Sequence, residues 1–482
     1  MGVDVERESD LEQLRRVALA LKTANQHLAE ALARKCRELD ALKGNDGELQ
    51  RVLAFVEAET KKAQAAAEAA GQPAAKAKRP PRARETSGPT PQPRLPVVEK
   101  VFELDEADRA CPSCGGRLAP MGDQFEESEL IDVVQIEYRL IQVKQQKYAC
   151  RCGGCVETAL GPERAMPGGR YSLDFAIKVA LDKYLDHLPL ARQVAIMDRA
   201  GLVITPQTLW DQTLALARRL EPVSEALLAY VKAQPVIGLD QTGWPRLERD
   251  AGKPWQMWCL TAPGVVVHRI RDDKSAATFT DLVGDYRGVI VCDALATHEA
   301  GAREGPGIVL AGCWAHAFRR FDEAKPDHPE AEVALERIGA LYEIDERGGG
   351  DLARIAELRR AEAPAVLAQL KDWLWGQAAL KTLSIGKAAA YTICNWDRLT
   401  RFVDDPRVPL DNNATERGIR GPVVGRKNHY GSKSRRGTWV AATLYTVLET
   451  AKRHDVPPAA YLRAAVLAAD DGRALLPWQF AR

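Results

Sequence analysis

Three acidic residues stand where a fold can bring carboxylates together: Asp240 closes the apolar run PVIGLD, Asp293 closes GVIVCD, and Glu416 lies in DNNATERGIR. The first two runs are short, β-branched and nearly continuous, the pattern of buried central strands, so each aspartate is expected at a sheet's C-terminal rim. In the third, Asp411, Asn412 and Asn413 offer N-caps, and ATERGIR reads as a helix closed by Gly421 and Pro422, with Glu416 and Arg420 on one face. Such a set suits two Mg²⁺ or Mn²⁺ ions, because hard divalent cations take oxygen ligands and keep positions for water and phosphate. A metal pair of this kind activates an attacking oxygen and stabilises a leaving one. Residue type alone decides nothing in a chain with 66 Asp and Glu, and strand-end Asp is commonly a turn residue. Position and neighbours carry the reading.

The elements around the three acids follow from pattern. After GLDQTGW, the runs WQMWCLTAP and GVVVHRIR read as a β-hairpin through Ala262, Pro263 and Gly264. Helical SAATFTDLVGDY leads to GVIVCD, and IVLAGCWAHAFRRF is a strand running into a helix, so a mixed sheet with helices on its faces is expected. Residues 326–395 are helical in pattern and too long for a simple connection, which makes them an insertion ahead of the Glu416 helix. Beyond that helix, GRKNHYGSKSRRG reads as a basic, Gly-punctuated loop in which Arg426, Lys427, Asn428, Lys433, Arg435 and Arg436, together with Arg420 and His316, are candidates to hold a DNA strand. Cys313 and His316 in CWAH have ligand-like spacing, but two groups do not make a metal site. His316 is therefore assigned to a phosphate or a metal-bound water, and Trp244 to the core.

Upstream, Cys111 and Cys114 in CPSCGG and Cys150, Cys152 and Cys155 in ACRCGGC flank a β-rich spacer, the arrangement of a structural Zn²⁺ site with four of the five as ligands. Residues 165–232 are helical. Within them a helix, a turn at Gly201 and a second helix capped by Thr205 with Pro206 at its first position have helix-turn-helix spacing, placing Gln207, Thr208 and Gln212 toward a groove. Residues 1–60 put Leu14, Leu21, Leu28, Leu42, Leu49 and Val56 on one heptad position, a dimerisation arm interrupted at Lys35 and KGNDG. Residues 61–100, rich in Pro, Ala and Arg, are expected to be a disordered basic linker.

The remaining spans are a zinc module at 101–164, a first part of a catalytic core at 233–325, its completion at 396–458 and a C-terminal tail at 459–482. The chain has 482 residues and a net charge of +1, so any nucleic-acid footprint comes from local basic clusters rather than overall charge. No apolar stretch reaches the roughly 20 residues that cross a bilayer, and the acidic N-terminus lacks a signal-peptide core. A cytoplasmic, nucleoid-associated protein without a membrane partner is expected, its ten cysteines serving metal binding or burial.

GLDQTGW, VCDALATH, AGCWAHAFRRF, LYEIDE, DNNATERGIRGPVVGRKN and LETAKRHDVPPAAYL occur in one order, preceded by CPSCGGRL, KYACRC and DHLPLARQ. This series, spanning most of the chain, resembles the Insertion Sequence 66 family of bacterial transposases. The resemblance implies a multidomain α/β protein with a ribonuclease-H-like mixed sheet, in which Asp240, Asp293 and Glu416 hold two Mg²⁺ or Mn²⁺ ions. It points to Cys150 and Cys152, with Cys111 and Cys114, around zinc. It also implies cleavage of double-stranded DNA at transposon ends, transfer into target DNA, a homodimer or higher oligomer, and accessory proteins of the same element as candidate partners. Gln241 stands where family members usually carry Glu. A regulator with a lapsed site, or a nuclease that cuts without joining, are the alternatives.

Overall fold

In the computed structural model the described residues are scattered positions from 97 to 120, residue 131, and 137–149, 155–247, 252–304, 307–380 and 382–480. The heptad arm and nearly all of the basic linker lie outside them, as do Cys111, Cys150 and Cys152. Residues 1–129 and 130–482 form two units, taken separately here.

In the first unit Ser113 and Cys114 lie in a turn completed by Gly115 at φ 74°, and Leu118 N donates to Arg109 O at 2.7 Å. In the second, β1 (Lys147–Ala149) pairs antiparallel with β2 (Val156–Thr158), so the segment carrying ACRCGGC joins the two arms of a hairpin.

Three helices follow: α1 (Leu173–Tyr184), α2 (Leu190–Arg199) and α3 (Pro206–Lys232). The turn at Gly201 (φ 82°) and the Thr205 cap, whose hydroxyl accepts from Thr208 N, stand where the sequence puts them. The second helix does not serve a groove along its length. Gln212 is buried with Leu209, Thr213 and Leu216, and from Leu214 to Val231 α3 joins the same apolar core as the sheet. Gln207 stays exposed at its first turn. Helix–turn–helix spacing is common to any helical hairpin, and here residues 212–217 of α3 are all buried.

The sheet has five strands: β3 (Val236–Trp244), β4 (Trp255–Ala262), β5 (Val265–Arg271), β6 (Gly288–Val291) and β7 (Ile308–Ala311). Their order is β5-β4-β3-β6-β7, with β3, β4 and β5 antiparallel and β6 and β7 parallel to β3. Helix α4 (Ala276–Val283), capped by Ser275, leads into β6, α5 (Ala296–Glu304) joins β6 to β7, and α6 (Trp314–Ala324) leaves β7. The expected hairpin is present, with Gly264 at φ 74° making its turn.

Residues 326–395 are helical as expected: α7 (Glu332–Arg347), α8 (Leu352–Ala378) and α9 (Ser384–Cys394), followed by α10 (Trp396–Leu399), build a second core around Trp314, Phe321, Leu341 and Leu370. The buried Arg359 of α8 ties this layer down. It donates to both Asp345 oxygens at 2.7 and 2.6 Å and to the Phe402 and Val408 carbonyls at 2.7 and 3.0 Å.

Helix α11 spans Asn413–His429, α12 Arg435–Arg453 and α13 Pro458–Asp470; the last of these packs Tyr461, Leu462 and Val466 into the main core. Gly421 and Pro422 do not end α11. A proline inside a helix withholds the N–H that residue i−4 would accept, which here strands the Gly418 carbonyl, and the Nε2 of His268 in β5 donates to that oxygen at 3.0 Å. The glycines permit contact instead of termination: an added Cβ at Gly421 would lie 2.3 Å from Glu449 Oε1, and one at Gly418 2.7 Å from Val266 Cγ2. Helix α12 in turn closes the open edge of β5. Thr446 and Thr450, one turn apart, accept from His268 N at 2.8 Å and Val266 N at 3.2 Å, pairing an edge that would otherwise be exposed.

The same kind of close approach sets α11 on β3. A Cβ at Gly238 would lie 2.1 Å from Thr415 Oγ1 and 2.5 Å from Thr261 Oγ1. Alanine in place of glycine ordinarily favours a strand by about 0.5–1 kcal/mol, but here overpacking costs about 1–3 kcal/mol and prevails. Gly238→Ala is expected to lower the urea midpoint of unfolding with an unchanged m-value; a midpoint at or above wild type would show that α11 does not press on this position.

Candidate active site

The register of β3 and β6 brings the two aspartates alongside. Gly238 is opposite Val291 in the last parallel pair, and Asp240 and Asp293 each lie two residues beyond it. Asp240 is not at the strand's end, as the apolar run suggested. The strand continues through Trp244 against β4, with Asp240 opposite Cys259, while β6 stops at Val291 and leaves the flank of β3 open there.

Asn412 fills that flank, its Nδ2 donating to Leu239 O at 2.9 Å. Its Oδ1 accepts from Thr415 Oγ1 at 2.5 Å, and Thr415 meets Thr261 of β4 at 2.6 Å. This chain fixes the first turn of α11, and Glu416 with it, over the sheet. From the insertion Tyr342 Oη donates to Asp411 Oδ2 at 3.0 Å, and from the start of α6 Cys313 Sγ accepts from Asn412 N at 3.3 Å.

The three acids share one electrostatic neighbourhood. Burial pushes the Asp240 carboxyl up to about 7, with the Asp293 and Glu416 charges adding to the rise and the Gln241 N–H and Arg319 opposing it. Arg319 Nη2 lies 2.6 Å from Glu416 Oε1 and His316 Nε2 3.9 Å from the same oxygen. Asp293 Oδ1 is buried without a hydrogen-bond donor. A crowded set of carboxylates, one raised and one with an orphaned oxygen, has the chemistry of a divalent-cation site, because a cation supplies what no neighbouring donor does.

Gln241, next along β3, faces the other side of the sheet. Its Oε1 accepts from His298 Nε2 at 2.8 Å, and His298 Nδ1 lies 3.4 Å from Asp293 Oδ1. His298 is fully buried against Trp258 and Phe279, and burial lowers its pKa while Asp293 opposes the change.

The basic segment divides. Arg426, Lys427 and Asn428 belong to the last turn of α11 rather than to a loop, and Arg435 and Arg436 open α12. Arg426 Nη1 is turned inward to Thr242 Oγ1 and the Gly243 carbonyl. Arg435 holds Asp272 at 2.6 Å on the surface, whereas Arg420, Lys427, Asn428, Lys433 and Arg436 are exposed. Trp244 is core, its Nε1 donating to Ser432 Oγ at 3.0 Å. Sequence reasoning named Asn412 as a cap, which it is, and passed over Arg319, Thr415 and Tyr342, although these lie in the strings AGCWAHAFRRF, DNNATERGIR and LYEIDE.

A family profile described as Transposase IS66 family matches residues 168–439, and one described as zinc-finger binding domain of transposase IS66 matches 108–153. Among relatives from Sinorhizobium fredii (strain NBRC 101917 / NGR234), the uncharacterized protein y4qI is 30% identical over 413 residues, covering 80% of this chain and 76% of its own. The uncharacterized protein y4jD is 30% identical over 421 residues, 80% of each chain. The uncharacterized protein y4hP is 28% identical over 421 residues, 80% of this chain and 76% of its own.

The raised Asp240 carboxyl has a definite sign. Its folded value, about 7, exceeds the unfolded 3.8, so between those values the folded state binds the extra proton and stability from this group falls as pH rises. Measured without divalent cations, Asp240→Asn is expected to gain thermal stability relative to wild type from about pH 4 to about pH 7. A difference between the two proteins that is flat with pH would remove the burial argument.

Proposed function

The chain belongs to the transposase IS66 family, and we propose that it is a DNA transposase in which Asp240, Asp293 and Glu416 form one phosphoryl-transfer centre. The observation that carries this reading is that both the Asp293 and the Glu416 charges act on the buried Asp240 carboxyl, beside an orphaned Asp293 oxygen. The mixed sheet, whose central strand and parallel neighbour deliver the two aspartates, supports a ribonuclease-H-like core. Two Mg²⁺ ions held by the three carboxylates would activate the attacking oxygen and stabilise the leaving one.

The chain's own groups supply positioning. The Gly238 contact and the Asn412–Thr415–Thr261 chain hold Glu416 over β3. Arg319 offsets carboxylate charge and, like His316, is a cationic or donor group within reach of a phosphate at Glu416. Exposed Arg420, Lys427, Asn428, Lys433 and Arg436 extend from this centre as a track for a phosphate backbone. The surface pair Arg435–Asp272 is weak enough to exchange for it.

In the zinc module the matched span contains Cys111, Cys114, Cys150 and Cys152 and stops before Cys155, which supports those four as the ligand set. The Gln departure at 241 does not favour a lapsed site, because that side chain points away from Asp240 and acts on Asp293 through His298.

DNA carrying the inverted repeats that flank this coding region, with Mg²⁺, tests the reading. Wild type is expected to nick the repeat ends and join them to a target. Asp293→Asn and Glu416→Gln should each lose at least 100-fold in cleavage while binding the same DNA within a few-fold. Wild-type turnover in either variant would refute the assignment, and nicked ends without joined products would make the protein a nuclease.

A further inference from the structure

Besides the three acids, one cluster of ligand atoms stands out among the described residues: Cys313 Sγ, a ring nitrogen of His316 and a carboxylate oxygen of Glu416 all lie within 4.8 Å of one another. Cys313 and His316 alone are too few for a metal site; Glu416 arrives from α11 as the third donor, across a span of chain that spacing cannot reveal.

We propose that Cys313, His316 and Glu416 form a binding site for a thiophilic divalent ion, Zn²⁺ by its ligand chemistry, that withdraws Glu416 from the acid triad. The set of one thiolate, one imidazole and one carboxylate is a borderline-soft donor set that prefers zinc to Mg²⁺. With three protein ligands the fourth position falls to water.

The surroundings are built for such an ion. Cys313 is the N-cap of α6, and Asn412 N points at its sulfur at 3.3 Å, a backbone donor that favours the anionic form. His316 Nδ1 is buried without a partner. Arg319, on Glu416 Oε1, remains as an outer partner orienting the carboxylate, a role ligating carboxylates commonly need filled. When the ion binds, the thiol proton leaves to solvent. One thiolate and one carboxylate then balance the divalent charge, and the buried thiol is no longer forced to stay neutral.

The binding claim stands on geometry alone; the claim that it inhibits rests on the transposase reading above. Cys313→Ser keeps an acceptor for Asn412 N but removes the soft ligand. Full-length wild type and Cys313→Ser, stripped of metal and titrated with Zn²⁺ in millimolar Mg²⁺, are to be compared for tightly held zinc and for cleavage of repeat-end DNA. Wild type is expected to retain one zinc equivalent more than the variant and to lose at least 10-fold in cleavage at zinc concentrations that leave the variant unaffected. Equal stoichiometry in the two proteins would overturn the site. A lost equivalent with unchanged zinc sensitivity would overturn the withdrawal of Glu416. If wild type failed to cleave in Mg²⁺ alone, the transposase reading would fall while the stoichiometry still decided the site.

Discussion

The placing of α11 on the sheet rests on the absence of one side chain. At Gly238 the backbone of β3 is bare enough for Thr415 and Thr261 to meet over it, and any Cβ there would occupy their hydroxyls. That contact lets Asn412 reach Leu239 O along the strand's open flank, and Asn412 sits one turn before Glu416. A glutamate on a helix can face an aspartate on a strand from many distances. Here a short hydrogen-bonded chain running from β4 through α11 to β3 holds the backbone of the first turn, and Arg319 holds the Glu416 carboxylate itself.

Holding carboxylates together this way works against stability. Asp240 is driven toward its neutral form, Asp293 keeps an oxygen without a donor, and Glu416 is compensated by a single guanidinium from α6. Such strain persists only where the surroundings over-determine the geometry. The helical insertion contributes here: Tyr342 grips Asp411 at the entry to α11, and Arg359 clamps the backbone just before it. The insertion is thus mechanically continuous with the acid cluster, although it is far from it in sequence.

Much of this was legible in the residues. PVIGLD and GVIVCD read as buried strands and are adjacent parallel strands; the hairpin, the helix ahead of β6 and the helical insertion followed from periodicity and glycine placement. What misled was punctuation. Gly421 and Pro422 obey the rules for a helix end, and only the position of His268, supplied by β5, shows that the carbonyl freed by the proline is satisfied. Gln212 has the polarity of a groove reader, yet it opens a stretch of α3, residues 212–217, that is buried without a break. Arg426 looked like one more surface cation until Gly243 and Thr242 were beside it. Each of these errors concerns a partner contributed by another part of the chain, which local pattern does not encode.

The same lesson bears on Gln241. As an amide it accepts one hydrogen bond from His298 Nε2 and asks for no charge on the ring, and burial already favours the neutral imidazole. Its Nδ1 lies 3.4 Å from Asp293 Oδ1, and the Asp293 charge works against the fall that burial imposes on the ring. A carboxylate at position 241 would set the ring between two acids and favour its protonated form. A substitution that looks in sequence like the loss of an acid is, in the fold, a neutral acceptor for a buried histidine.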